Sequence, residues 1–137
     1  MSAKTKSVIG DPVVFGGTTL PLSMGIRAGD FVYLSGIVAC DEEGIPDFSG
    51  DIAEQTRMAM QTISVQLATA DCGFSDIVKV VVYLKNKNDF AEFNAVYGAS
   101  FPNAPPARTT ICADFVAERV LVEVDVVAYK PAPDSAL

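Results

Sequence analysis

Two features of this chain could do chemistry. The first is Arg108, one of only ten basic residues, which follows the proline-rich lead Pro102-Asn103-Ala104-Pro105-Pro106-Ala107 and opens a segment that reads as a strand. Proline fixes its own backbone torsion, so this lead limits the freedom of the charged group behind it, as a binding site requires. A solvated or salt-bridged arginine is the plainer alternative. The second feature is the pair Glu123 and Asp125, two residues apart on a predicted strand and so on one face of it. Such a pair suits general acid/base work, although any solvated sheet face looks the same. The chain has no histidine. That excludes Ser-His and Cys-His nucleophile pairs, HExxH zinc sites and an imidazole base, and leaves carboxylates, hydroxyls, backbone groups and arginine.

The elements that hold these groups must fit into 137 residues, half of them apolar, which is enough for one domain with a sizeable core. The expected organisation is a single domain over 1–137, with a flexible N-terminus over 1–12 and a flexible tail over 131–137. Seventeen acidic residues against ten basic ones give a net charge of -7, which repels phosphate backbones and anionic membrane surfaces. No nucleic acid and no membrane partner is expected, and the absence of a signal-like apolar run points to a cytoplasmic protein. Cys40, Cys72 and Cys112 are odd in number and widely spaced, so they read as buried free thiols rather than a disulfide framework or a metal cage.

Along the chain, Phe31 to Val38 is rich in β-branched and aromatic residues after the turn-like Arg27-Ala28-Gly29-Asp30, and predicts a strand. A second strand near Val13 to Thr19 is expected to pair with it. The loop DEEGIPDFSGD ends at Asp51 with Glu54 three residues on, a capping-box spacing that starts a helix. The apolar face of that helix carries Ile52, Ala59, Ile63, Leu67 and Ala70, and Gly73 is expected to close it. Ile77 to Leu84 is almost wholly apolar and predicts a central strand covered on both faces, with Lys79 out of place. Asp89 and Glu92 repeat the capping spacing before a helix whose Phe90, Phe93, Tyr97 and Phe101 share a side. Two strands follow, Arg108 to Phe115 and Val120 to Tyr129. The order β-β-α-β-α-β-β implies an α+β domain, a mixed sheet with both helices on one face. The other face keeps apolar area that needs covering, which predicts a homo-oligomer.

Five segments in order resemble the RidA family, also called YjgF or the reactive intermediate deaminase family, from about Pro21 to Tyr129. They are Phe31-Val32-Tyr33-Leu34-Ser35-Gly36, Asp76 to Leu84, Asn88-Asp89-Phe90 with Phe93-Asn94-Ala95-Val96-Tyr97, Pro106-Ala107-Arg108, and Leu121 to Ala128. The resemblance implies a chorismate-mutase-like fold, a homotrimer with inward-facing sheets, and ligand clefts between subunits. It implies hydrolysis of 2-imino or enamine acids, such as 2-aminoacrylate and its iminopropanoate tautomer, to 2-oxo acids and ammonia. Water is the nucleophile, and neither cofactor nor metal is required.

By the same resemblance Arg108 grips the substrate carboxylate, for which a guanidinium offers a planar two-donor fork. Glu123 orients or activates the attacking water, and Asp125 is structural. Gly36 and Thr110 meet the substrate's amine end, while Ser35 and Asn94 line the pocket. Two positions depart from the deaminase pattern: Leu22 stands where a cleft tyrosine is expected after the proline, and Thr110 where a cysteine follows the arginine by two. The departures admit a larger or more apolar acid, such as an aminomuconate-type ring-cleavage product. A non-catalytic binder of small carboxylic acids is the other alternative.

Overall fold

The computed structural model describes residues 6–131. Its strands and helices are β1 (Ser7–Ile9), β2 (Val14–Phe15), β3 (Thr18–Thr19), β4 (Gly25–Ala28), β5 (Phe31–Leu34), α1 (Ile52–Thr69), β6 (Ile77–Leu84), α2 (Phe90–Gly98), β7 (Ala107–Cys112) and β8 (Val122–Tyr129). Six strands form one sheet in the order β1-β4-β5-β8-β6-β7. All neighbours are antiparallel except β6 and β7, which run parallel because α2 connects them. The predicted α+β fold, with its mixed sheet and two helices, is what forms.

One face of the sheet is the core. Alternation along β8 sends Val122, Val124, Val126 and Ala128 inward, where they meet Val80, Val82 and Leu84 of β6 and Val32 and Leu34 of β5. Ile52, Ala59, Ile63 and Leu67 of α1 and Phe93 and Tyr97 of α2 close over them. The Asp51 side chain caps α1 by accepting from the Glu54 amide at 3.0 Å. Only half of the expected capping box forms, because the Glu54 carboxylate pairs with Arg57 instead.

The structure corrects several details. The strand that pairs with β5 is β4, which takes in Arg27 and Ala28 of the turn-like segment and leaves Gly29 and Asp30 as the turn, while Val14–Phe15 and Thr18–Thr19 make a separate two-stranded hairpin. Helix α1 ends at Thr69, with Asp71 taking the left-handed conformation at φ 60° that Gly73 was expected to supply. Helix α2 follows a single 3-10 turn, and Asp89 makes no side-chain cap to it. Strand β6 is covered on one face only; a bulge at Val78 and the exposed Lys79 mark its open side. Cys112, at the end of edge strand β7, is exposed rather than buried. Ser7–Ile9, inside the stretch expected to be flexible, form the edge strand β1. Residues 1–5 and 132–137 lie outside the described residues.

A residue that sequence reading passed over ties the loops to the core. Gln55 of α1 has no exposed surface; its amide nitrogen lies 3.3, 3.1 and 3.0 Å from the carbonyls of Phe48, Gly50 and Arg119. Its oxygen accepts from the Leu121 amide at 2.9 Å. One side chain thus pairs backbone groups from both loops that enter and leave the core. We expect Gln55→Leu, similar in size but unable to pair, to lose about 3 kcal/mol in urea unfolding. A loss below about 0.5 kcal/mol would show that water can reach those groups instead.

Candidate functional site

Arg108 begins the fold's chemistry at the free edge. In the parallel register it stands opposite Val80, so it projects to the helix side of the sheet, with Thr110 opposite Val82 on the same side. There its guanidinium carbon lies 5.7 Å from the ring centre of Phe90, 5.5 Å from Phe93 and 5.0 Å from Tyr97. The three rings come from one face of α2, whose 3.6-residue period aligns positions 90, 93 and 97. Among the described residues no carboxylate pairs with this cation. Asn94 shares that helix face, and its side-chain oxygen is buried without a hydrogen-bond partner among the described residues. The Tyr97 hydroxyl is in the same state: burial raises its pKa, the nearby Arg108 charge opposes that, and no hydrogen bond of good geometry joins them. An unpaired guanidinium beside the Tyr97 hydroxyl offers donors to a small anion, while the Asn94 oxygen can only accept.

Glu123 stands elsewhere. It pairs in register with Tyr83, on the sheet face opposite the helices. The isolated bridge Ile37 to Val124 brings Gly36 beside it, and a methyl group placed on Gly36 would lie 2.1 Å from Glu123 Oε2 and 2.9 Å from Asp125 Oδ1. Glycine is needed here for space, not for backbone torsion. Burial pushes the Glu123 pKa above the ordinary carboxylate value, and the neighbouring Asp125 charge pushes it further. Burial also raises Asp125, against the hydrogen bond that it accepts from the Tyr83 hydroxyl at 3.2 Å.

The sequence-predicted residues therefore fall into two groups. Arg108, Thr110 and Asn94 gather at the β7 edge under α2, whereas Gly36 and Glu123 gather on the open face. Ser35 adjoins the second group, but its hydroxyl donates to the Ser23 carbonyl at 2.6 Å and can offer a ligand only its lone pairs. Leu22 lies exposed in the chain leading into β4. Tyr83 and the rings of Phe90, Phe93 and Tyr97 were not assigned to the site from sequence. The rings were legible as one helix side, but which strand residue lay beneath them depended on the parallel register. A groove of about 670 Å³ between the Cys40–Gly44 loop and α1 contains neither group. Among the described residues no cluster of three or more His, Cys, Asp or Glu could hold a metal ion, and no helix is long and apolar enough to cross a membrane.

Comparison with known proteins places the fold in a family. Residues 17–130 match the family model described as endoribonuclease L-PSP. A RutC family protein of Pyrococcus horikoshii is 37% identical over 110 residues, covering 80% of this chain and 87% of the relative. Among solved structures, yeast Mmf1 superposes with a TM-score of 0.81 at 29% identity, over 92% of this chain and 99% of its own. The Rid family protein YyfA of Yersinia pestis does so at 0.78 and 29%, over 90% and 98%. The fold and these matches define one class: this chain belongs to the RidA/YjgF family.

The space above Gly36 supplies a direct check of the Glu123 position. In a crystal structure of Gly36→Ala the fold should persist while the Glu123 carboxyl moves by about 1 Å or more, the least that an ordinary carbon–oxygen contact demands. A carboxyl that stays in place would contradict the close approach.

Proposed function

We propose that the protein hydrolyses 2-imino acids and their enamine tautomers, of the 2-aminoacrylate and 2-iminopropanoate type, to 2-oxo acids and ammonia. The observation that carries this reading is Arg108. In a chain of net charge -7, its guanidinium is held among three aromatic rings and no described carboxylate neutralises it. A 2-imino acid presents a carboxylate to fill that vacancy, with its C=N carbon one bond away.

The chemistry then needs a base, and Glu123 suits it. Its raised pKa keeps it basic enough to take a proton from water. Water adds to the C=N carbon as Glu123 removes its proton, forming a carbinolamine. The imine nitrogen enters protonated; the same carboxyl returns water's proton to it, the C–N bond breaks, and as ammonia leaves the carboxylate takes the hydroxyl proton, which forms the carbonyl. No electron acceptor or covalent intermediate enters the balance.

Arg108 and Glu123 of one chain face opposite sides of the sheet, so they cannot act on one substrate within that chain. The open face also exposes Phe31, Tyr33, Ile111 and Tyr129, each 39% to 45% accessible. Both facts support a homo-oligomer, by family likeness a homotrimer, in which the sheet face of one subunit adjoins the β7 edge of the next. Exposure of Phe90 beside Arg108 leaves room for relatives of these substrates with a longer apolar tail.

The test is release of pyruvate from iminopropanoate generated by an amino-acid oxidase, with semicarbazide competing for the imine. Wild type should outrun the trap. Arg108→Ala should lower kcat/KM by about 100-fold or more, the effect of losing two charged hydrogen bonds. Glu123→Gln should retain binding of a 2-oxo acid and lower kcat by about 100-fold or more. Wild-type rates equal to buffer with every imino acid tried would falsify the deaminase reading, and binding without turnover would make the protein a carboxylic-acid binder.

A further inference from the structure

Resting on the deaminase reading of Glu123, one residue beside it acquires a role that its position on a solvated strand would not suggest. Asp125 and Glu123 point from β8 to the same face, and both carboxyls reach the space that a Gly36 side chain would occupy, with Oδ1 and Oε2 2.9 and 2.1 Å from that point. Asp125 is anchored from the next strand, where Tyr83 Oη donates to its Oδ2 at 3.2 Å. We propose that Asp125 is a positioning residue: held by the Tyr83 hydroxyl, its carboxylate shares the cleft over Gly36 with Glu123 and decides when Glu123 carries the reaction's proton.

The neighbours of the pair make this specific. Across from Glu123, β6 presents Tyr83 and β7 beyond it presents Ile111. On the other flank the chain presents Gly36, which has no side chain, while Ile37 turns into the core with Val124. Lys79 lies further along β6 opposite Val127, and its ammonium is turned to the Thr109 hydroxyl at 3.1 Å. Among the described residues, burial and Asp125 are therefore what moves the Glu123 carboxyl from its ordinary titration. Tyr83 donates to Asp125 and so favours its ionised form, which leaves the shared proton to Glu123. A base with that history holds a proton nearer neutral pH, where it can both accept one from water and return it to the leaving amine.

The experiment follows the Glu123 carboxyl directly, by carbon-13 NMR titration of the unliganded protein assigned with Glu123→Gln, beside the pH profile of kcat/KM for iminopropanoate. Removing the like charge in the isosteric Asp125→Asn should lower the Glu123 midpoint by about one pH unit, and the acid limb of activity should fall with it. In Tyr83→Phe both carboxyls remain but compete for the proton, so the titration should spread into two overlapping steps. A Glu123 midpoint unmoved by Asp125→Asn overturns the proposal, whether or not the wild type turns imines over. A shifted midpoint in a protein without turnover upholds the coupling and removes the deaminase reading instead. A merely structural Asp125 would change stability and leave the midpoint alone.

Discussion

Side chains alternate across a β-sheet, and that alternation governs everything else here. On β8 it assigns Val122, Val124, Val126 and Ala128 to the core and Glu123 and Asp125 to the opposite face. The same register, carried through β6 to β7, aligns Arg108 with Val80 and commits it to the helix side. Slipping either strand by one residue would bring the charges to a common face only by turning the core outward. The fold thus keeps Arg108 and Glu123 apart, and the proposed chemistry needs a second copy to bring them together.

The two groups proposed as half-sites are ordered differently. At the β7 edge, order comes from rigidity: PNAPPA limits the chain before Arg108, and three rings confine the guanidinium without neutralising it. Cation–π contact holds the group but leaves its N–H donors available, whereas a salt bridge would have consumed them. On the open face, order comes from absence: Gly36 leaves room for a carboxyl to sit half-buried, with no cation among the described residues near enough to lower its pKa. Gln55 ties the loop before α1 and the chain entering β8 to each other by pairing the backbone at Gly50 and Leu121.

Much of the fold was legible in the sequence because periodicity reports burial. The helix faces of Ile63 and Leu67 and of Phe93 and Tyr97, and the alternation along β8, follow directly from side-chain spacing. Pairing did not, because Val13 to Thr19 and Gly25 to Ala28 are equally plausible partners for β5 and only long-range register decides between them. Caps misled for a related reason: Asp89 and Gly73 have suitable types, but a 3-10 turn and the left-handed Asp71 took their places. Arg108 and Glu123 stand out in their motifs, while their separation across the sheet does not, since it depends on counting registers over two strand pairs. Tyr83 carried no signal in a run of apolar residues that reads as core.

The central claim is that Arg108 of one subunit and Glu123 of another serve one substrate. Mixing unfolded Arg108→Ala and Glu123→Gln chains, refolding them together and assaying the assembly tests it directly, because each variant alone lacks one half of every site. Random mixing gives about a quarter of the clefts an intact pair if the site spans subunits, so about a quarter of wild-type imine hydrolysis should return. If both residues must come from the same chain, no mixed assembly contains an intact site, and activity that stays at the level of the separate variants would contradict the claim.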